Sequence, residues 1–545
     1  MSFSFDLTRE PWLPCLDRDG RPLKVGLYEA LARAHELRAV EGATPLETAA
    51  VYRLLLAVLH RVYPVPNAAA WSRLWEGQRW EEGALDRYLG QWQSRFDLFH
   101  PERPFYQWED RRVQPWSVGL LFPGMQAAPF YNHEVTTGDL ALGPAEAAVE
   151  LLVAQHYGAS GTRDPSQGLF FSAGTWSTGY VFFVEGENLF QTLAYNLLPY
   201  GEGNPRPWLE GTAEDRPAWE ADDPFTPDRE VPLGYLDYLT WHSRRILLHP
   251  NLEGSRVLVR EFTISPGLKT ENGLRDPFKR YFLNAENGYG AVRLNIARSL
   301  WRDAAAIFNL NATGGEAPRV LDWLALLHKR AGLERAARHR LLCIGMATEP
   351  MKAAKVQVYR AERLPLPLAY LEDNQDLVDH LAEAAEEAER GYRALVREPK
   401  RQSAANRNVE DYLRDRRGAL WHLAARLNAP AADLPGGRSP SEKDKDIQNL
   451  VEHWAADRDY WAALEMPFLR LIEDMPNRRA EEALADWRRT VRRAAYKALE
   501  RVESMAGEGA AALKGAAQAR RILNYRLSER APVAASAAGE ESGDR

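Results

Sequence analysis

Few residues of this 545-residue chain stand at spacings that do chemistry. It has 12 histidines, but none falls in an H-E-x-x-H pair, and its two cysteines, Cys15 and Cys343, cannot build a thiolate zinc site. No metal and no cofactor is expected. A phosphate-cradling G-x-x-x-x-G-K-[ST] loop is missing, and Asp379-His380 lies in an acid-rich helical run, where it reads as helix surface. With 76 acidic residues, carboxylate pairs arise without any acid–base role. Two patterns carry more. Tyr157-Gly158-Ala159-Ser160-Gly161-Thr162-Arg163 sets two glycines around small side chains, so the backbone can approach a flat or charged ligand. Arg489, Arg493, Lys497 and Arg501 recur at i, i+4, with Arg488 and Arg492 on the adjoining row. Between Arg478 and Arg530 stand 13 Lys+Arg against 7 Asp+Glu, in a chain of net charge −7. Such a row fits phosphates, or it is a solvated face paired with acids such as those of Glu383 to Glu389.

The elements that must position these residues fall into two kinds. Up to Leu371 short β-rich runs, including Tyr180–Gly186 and Arg256–Phe262, alternate with helices such as Glu146–His156 and Glu187–Leu197. From Asn374 the β-branched runs vanish. Helical periods cover about Gln375–Arg397, Asn406–Leu427, Glu442–Asp474 and Asn477–Met505, with a fifth piece at Ala510–Arg530. The expected fold is α+β: a mixed α/β domain over 1–371, then an all-α four-helix bundle over 372–530. The small, polar tail 531–545 is expected to be disordered. No run reaches the ~18 apolar residues of a membrane helix, and Asp6 and Glu10 stand where a signal peptide would be basic and then apolar. A cytoplasmic protein with buried, inert thiols is expected.

The opening is the most specific stretch. Phe5-Asp6-Leu7-Thr8-Arg9-Glu10-Pro11-Trp12-Leu13-Pro14 predicts a short strand that its prolines end early, and Asp17–Gly20 a hairpin turn into Leu23–Leu27. Thr44-Pro45-Leu46-Glu47 then starts a long apolar helix, with a capping threonine, proline at the first helical position and glutamate three residues after the cap. This succession resembles the CasA family, the large subunit of the type I-E CRISPR Cascade complex, and the likeness extends over about residues 5–530.

The resemblance implies a non-catalytic DNA-recognition subunit. In that family a glycine loop reads the minor groove of the protospacer-adjacent motif, here Gly158, Ala159, Ser160 and Gly161. A lysine also enters that groove, here Lys269, with Arg260 and Arg275 as rivals. A hairpin wedge separates the base pairs, here Lys352, Ala353, Ala354 and Lys355, with alanine where the family has glutamine. Phe130, Tyr131, Asn132 and His133 match the loop that anchors the subunit near the guide's 5′ end. Arg488, Arg489, Arg492, Arg493 and Lys497 would touch DNA backbone. The implied partners are the other Cascade subunits, crRNA, double-stranded target DNA and a recruited helicase-nuclease, with no membrane. The family's occasional four-cysteine cluster is missing, so no zinc carries over. Two other readings stay open: a metal-dependent nuclease or hydrolase built from scattered carboxylates and His133 or His156, and a helical scaffold whose basic face binds protein.

Overall fold

The computed structural model describes residues 3–123, 140–164, 169–199, 215–271, 274–284, 288–310, 314–331, 333, 339–349, 352–372, 374–396, 418–432 and 440–528. The residues expected to anchor the chain, Phe130–His133, and the tail from Ala531 lie outside them. The chain divides into two compact units, Met1–Gln375 and Asp376–Arg545.

Unit 1 is mixed. Its helices are α1 (Leu27–Ala32), α2 (Pro45–Val62), α3 (Ala68–Glu76), α4 (Glu82–Gln91), α5 (Pro144–Tyr157), α6 (Leu189–Tyr195), α7 (Tyr235–Leu239), α8 (Ala304–Phe308) and α9 (Arg319–Ala331). Its strands are β1 (Leu13–Asp17), β2 (Pro22–Val25), β3 (Leu37–Val40), β4 (Trp116–Ser117), β5 (Gly161–Asp164), β6 (Leu169–Phe171), β7 (Gly179–Glu185), β8 (Arg244–Glu253), β9 (Arg256–Pro266), β10 (Tyr281–Asn284), β11 (Gly288–Ala291), β12 (Gly315–Glu316), β13 (Arg340–Glu349) and β14 (Lys352–Pro365). They form small sheets in the orders β2-β1-β3, β4-β9-β8, β5-β6, β14-β13-β7 and β11-β10-β12, every pairing antiparallel.

The opening block is core. Trp12 and Leu13 are fully buried, and the Trp12 indole N–H donates to Leu7 O at 2.8 Å. The expected early end of the strand does not occur. β1 runs on to Asp17 because Pro14 sits at the end of its pairing with β3, where its carbonyl accepts from Glu41 N–H and the missing donor costs one bond. The hairpin turn forms as expected: Gly20 takes φ +80° and donates to Asp17 O. The start of α2 also follows its sequence, with Thr44 Oγ1 accepting from Glu47 N and the Glu47 carboxylate accepting from Ala43 N. Nearly every residue of α2 from Leu46 to His60 is buried, so this helix is the hub of unit 1, packed on α5, α7, β13 and β14.

Unit 2 is helical in all its described regular elements but one short turn of tighter helix: α10 (Gln375–Leu395), α11 (Ala419–Ala432), α12 (Pro440–His453), α13 (Ala456–Asp474), α14 (Ala480–Ala506) and α15 (Ala510–Ser528). The single helix expected over Glu442–Asp474 is two. Trp454 is buried, and Ala455 turns into the left-handed region (φ +49°) to redirect the chain. The helix expected over Asn406–Leu427 is described from Ala419 and passes its expected break, with Pro430 inside it. The Trp487 indole donates to Ala384 O at 2.7 Å and Tyr460 Oη to Ala388 O at 2.6 Å, which locks α14 and α13 onto α10. A Cβ at Gly391 would meet Val491 at 2.6 Å, so glycine permits this close approach.

Candidate nucleic-acid interface

The glycine loop leaves the C-terminal end of α5 over a buried arginine. Arg244, the first residue of β8, is fully buried, and its guanidinium donates to Ser243 O at 2.8 Å and Ala159 O at 3.0 Å while lying 5.1 Å from the Phe171 ring centroid. A Cβ on Gly158 would stand 2.8 Å from Arg244 Nη2 and 2.7 Å from Ala154 O, closer than any real side chain comes. Gly158 is therefore glycine to admit the arginine beneath it, and Ala159 is buried with it. Within Tyr157–Gly161, only Ser160 and Gly161 reach the surface. Gly161 takes φ +127° to enter β5, whose partner β6 presents Phe170 at 64% exposure.

The Lys269 loop closes on the same arginine. Gly267 lies so close to the backbone of β8 that a Cβ would come within 2.5 Å of Arg244 N. Leu268 is anchored in a cluster with Phe225 and Trp241, against which Trp108 packs. Lys269 is thus held at its base and exposed at its tip, where Nζ pairs with Glu230 at 2.9 Å, both side chains more than half exposed. Such a pair contributes about 0–1 kcal/mol, so an anion can replace Glu230 at little cost. Arg260 faces Glu253 across the β8–β9 hairpin, and Arg275 is paired with Glu316 beside the Tyr289 ring.

The residues expected to form a wedge lie at the start of β14, which pairs along its length with β13; residues 350–351 between the two strands lie outside the described residues. Lys352 pairs with Glu349 in register, and two irregularities interrupt the ladder between Ala347 and Glu349. β5, the strand that follows the glycine loop, lies against β14, the strand on which these residues stand.

Behind the loop lies a charged core. Arg53, also fully buried, donates to Leu239 O at 2.7 Å and to Tyr238 O, and packs between the Trp176 and Tyr238 rings. Asp276 accepts from the Trp176 indole, Tyr238 Oη and Phe278 N. His156 is buried between Tyr106 and Trp176, and burial pushes its pKa well below the usual value, so the ring is neutral and shut off from solvent. Cys15 and Cys343 are buried, and burial raises both thiols far above their usual range. Among the described residues no three His, Cys, Asp or Glu side chains are placed to hold a metal, and no helix is long and apolar enough to cross a membrane.

The basic row lies exposed on α14 in unit 2. Arg488 pairs with Glu383 of α10 at 2.5 Å, Arg489 with Asp486, and Arg492 donates to Asn524. Arg501 pairs with Asp459. The acids that the sequence offered as an alternative partner thus engage part of the row. Two residues escaped the sequence reading: Arg244, whose burial beneath the glycine loop has no local signal, and Phe170, whose strand pairs with the one that follows that loop.

The described geometry agrees with the relatives of the chain. The model of the CRISPR-associated protein Cse1 family matches residues 6–498. A CRISPR-associated protein CasA/Cse1 of Thermus thermophilus is 31% identical over 549 residues, covering 96% of this chain and 97% of that one. The solved structure of Thermus thermophilus CasA (Cse1) superposes with a TM-score of 0.72 at 29% identity, covering 96% and 99% of the two chains. A chain of a CRISPR RNA-guided surveillance complex shares the fold, with TM-score 0.69 and 23% identity over 96% and 99%. With the family model spanning nine-tenths of its length, the chain belongs to the CRISPR-associated Cse1 (CasA) family.

Proposed function

We propose that this chain is the large, non-catalytic subunit of a crRNA-guided type I-E surveillance complex. It reads a short motif beside the target in double-stranded DNA, starts duplex opening and recruits the helicase-nuclease that degrades the DNA. The observation that carries this reading is the convergence of the glycine loop and the Lys269 loop on Arg244, with the β13–β14 hairpin alongside. A rigid backbone edge and one exposed lysine suit the minor groove, which offers few distinguishing groups and tolerates several motifs. The hairpin is the element that enters the duplex, Lys352 and Lys355 holding phosphates around Ala353 and Ala354. Phe130, Tyr131, Asn132 and His133 dock the subunit on its complex. The guide RNA supplies most of the sequence specificity. Arg493 and Lys497 are the first candidates in the α14 row for backbone contact, with Arg488, Arg489 and Arg492 joining once their present partners are exchanged for phosphate.

The test is a gel shift with the reconstituted complex on duplexes that differ only in the flanking motif. Ser160→Glu and Lys269→Ala, both at the surface, are expected to weaken binding to the preferred motif about tenfold and leave thermal stability unchanged. Gly158→Asp is a poorer probe because it would strike Arg244. Binding that ignores both the motif and these substitutions overturns the proposal, as does metal-dependent DNA cleavage by the isolated chain.

A further inference from the structure

The β10–β11 hairpin exposes large apolar side chains on both of its faces. Phe282 is 45% exposed, Leu283 55% and Tyr289 38%. The register pairs Phe282 with Gly290 and Leu283 with Tyr289, so Phe282 stands on one face and Leu283 and Tyr289 on the other. Neither ring is loose. Phe282 lies flat over Gly290, where any Cβ would be 2.7 Å from its Cζ; only glycine admits the ring there. Tyr289 is backed by the Arg275 guanidinium, 4.8 Å from its ring centroid, and Arg275 is fixed by its ion pair with Glu316 of β12 in the same sheet. Two aromatic rings are thus each braced on one side, with substantial area left in water.

Cations lie on the Tyr289 side of the hairpin, interleaved with acids, Asp322 standing near Arg319. The recess beside the hairpin is lined by Arg275, Arg319 and Lys279 against Asp276 and Glu316, and the Lys279 ammonium is kept inside by Thr175 O and Thr178 O. The position is equally informative. Directly after β11, Val292 O accepts from Tyr180 N–H, and Gly179 packs against Ala291. Gly179 pairs with Met346 near the far end of β13, so this hairpin stands at the end of the sheet from which the β13–β14 hairpin projects.

We infer that the β10–β11 hairpin is a stacking platform for single-stranded nucleic acid, which takes unpaired bases on Phe282 and Tyr289 and the phosphate backbone against Arg275 and Arg319. Braced rings beside cations are what sequence-tolerant single-strand binding needs, since every base has a π-face. An apolar protein partner would instead be served by one contiguous patch, and here the rings are divided between two faces with cations beside them. The inference deepens the proposed function: a strand released beside the β13–β14 hairpin meets this platform first.

The experiment is fluorescence anisotropy of a labelled oligothymidine with the full-length chain. Phe282→Ala and Tyr289→Ala are each expected to weaken binding about tenfold. Gly290→Val keeps the Phe282 ring but pushes it off its seat, and is expected to weaken binding similarly. Leu252→Ala, an exposed position on the β8–β9 hairpin, is expected to change nothing. Absence of oligothymidine binding, or an affinity unmoved by all three variants, overturns the inference. So does loss of assembly into the complex by variants whose oligothymidine binding is intact, because a protein is then the occupant. Motif discrimination on duplex DNA is measured beside it with the wild type and Lys269→Ala. If discrimination is absent while the oligothymidine result stands, the proposed function fails and the platform survives; the converse sinks the platform alone.

Discussion

The core beneath the glycine loop in unit 1 and the α14 row in unit 2 use arginine in opposite ways. Arg53 and Arg244 of unit 1 are fully buried and donate to backbone carbonyls that fix the chain around α7 and the glycine loop, with the buried Asp276 carboxylate 3.8 Å from Arg53. Arg488, Arg489 and Arg501 of unit 2 are exposed at their tips and lie against carboxylates. A buried guanidinium with fixed acceptors shapes a backbone edge and adds a positive field behind it. A surface guanidinium paired with a movable acid has no fixed shape and can exchange its acid for a phosphate. The same residue type thus fixes the form of the backbone in one place and leaves an exchangeable surface charge in the other.

The largest effect should come from deleting the buried member. Arg244→Ala removes the guanidinium that donates to Ala159 O and one of the two donors to Ser243 O, which keeps the Gly267 N–H, and opens a void beneath Gly158, so the chain is expected to lose about 3 kcal/mol of stability. Denaturant unfolding of the full-length protein measures it. A loss below about 1 kcal/mol would show that the glycine loop holds its shape unaided, and the contrast between the units would collapse.

Acid should separate the units next. Burial depresses His60 to about 3 and His242 to about 4, and holds His156 well below its usual value. A histidine whose folded pKa is depressed binds its proton more readily in the unfolded chain. Its contribution is intact above the unfolded value of 6.5 and is lost as pH falls towards the folded value. The slope is about 1.4 kcal/mol per pH unit for each histidine that stays neutral in the fold. Thermal unfolding at pH 7 and pH 5 should therefore show unit 1 melting earlier in acid, and His242→Gln should flatten that dependence. Equal sensitivity of both units would break the comparison.

How far the sequence shows these features depends on their range. The Thr44–Glu47 helix start and the Asp17–Gly20 turn are legible because the bonds that make them join neighbours. The two-unit, α/β-then-helical order is legible from periodicity. The redirection at Ala455 is not, because alanine favours helix continuation and only the burial of Trp454 and Ala456 on either side overrides it. Gly158 could be singled out as a glycine but not explained, since its reason, Arg244, lies 86 residues downstream. Family resemblance located candidate loops, whereas only the fold shows that Gly267 and Gly158 crowd the same arginine.

The smallest effect tests the other half of the contrast. Arg488 reaches Glu383 with both side chains about half exposed, so solvent and salt screen the pair and Arg488→Ala should cost below about 1 kcal/mol. The sign of its effect on DNA is the sharper readout. If the row exchanges acids for phosphate, Arg488→Ala weakens duplex binding by the complex at every flanking motif equally and reduces the salt dependence by about one counterion. Glu383→Gln should do the reverse, because it frees Arg488 without removing it. Opposite shifts from the two substitutions would establish a row that trades partners, while no shift from either would leave the α14 arginines as helix–helix ties, with recognition confined to unit 1.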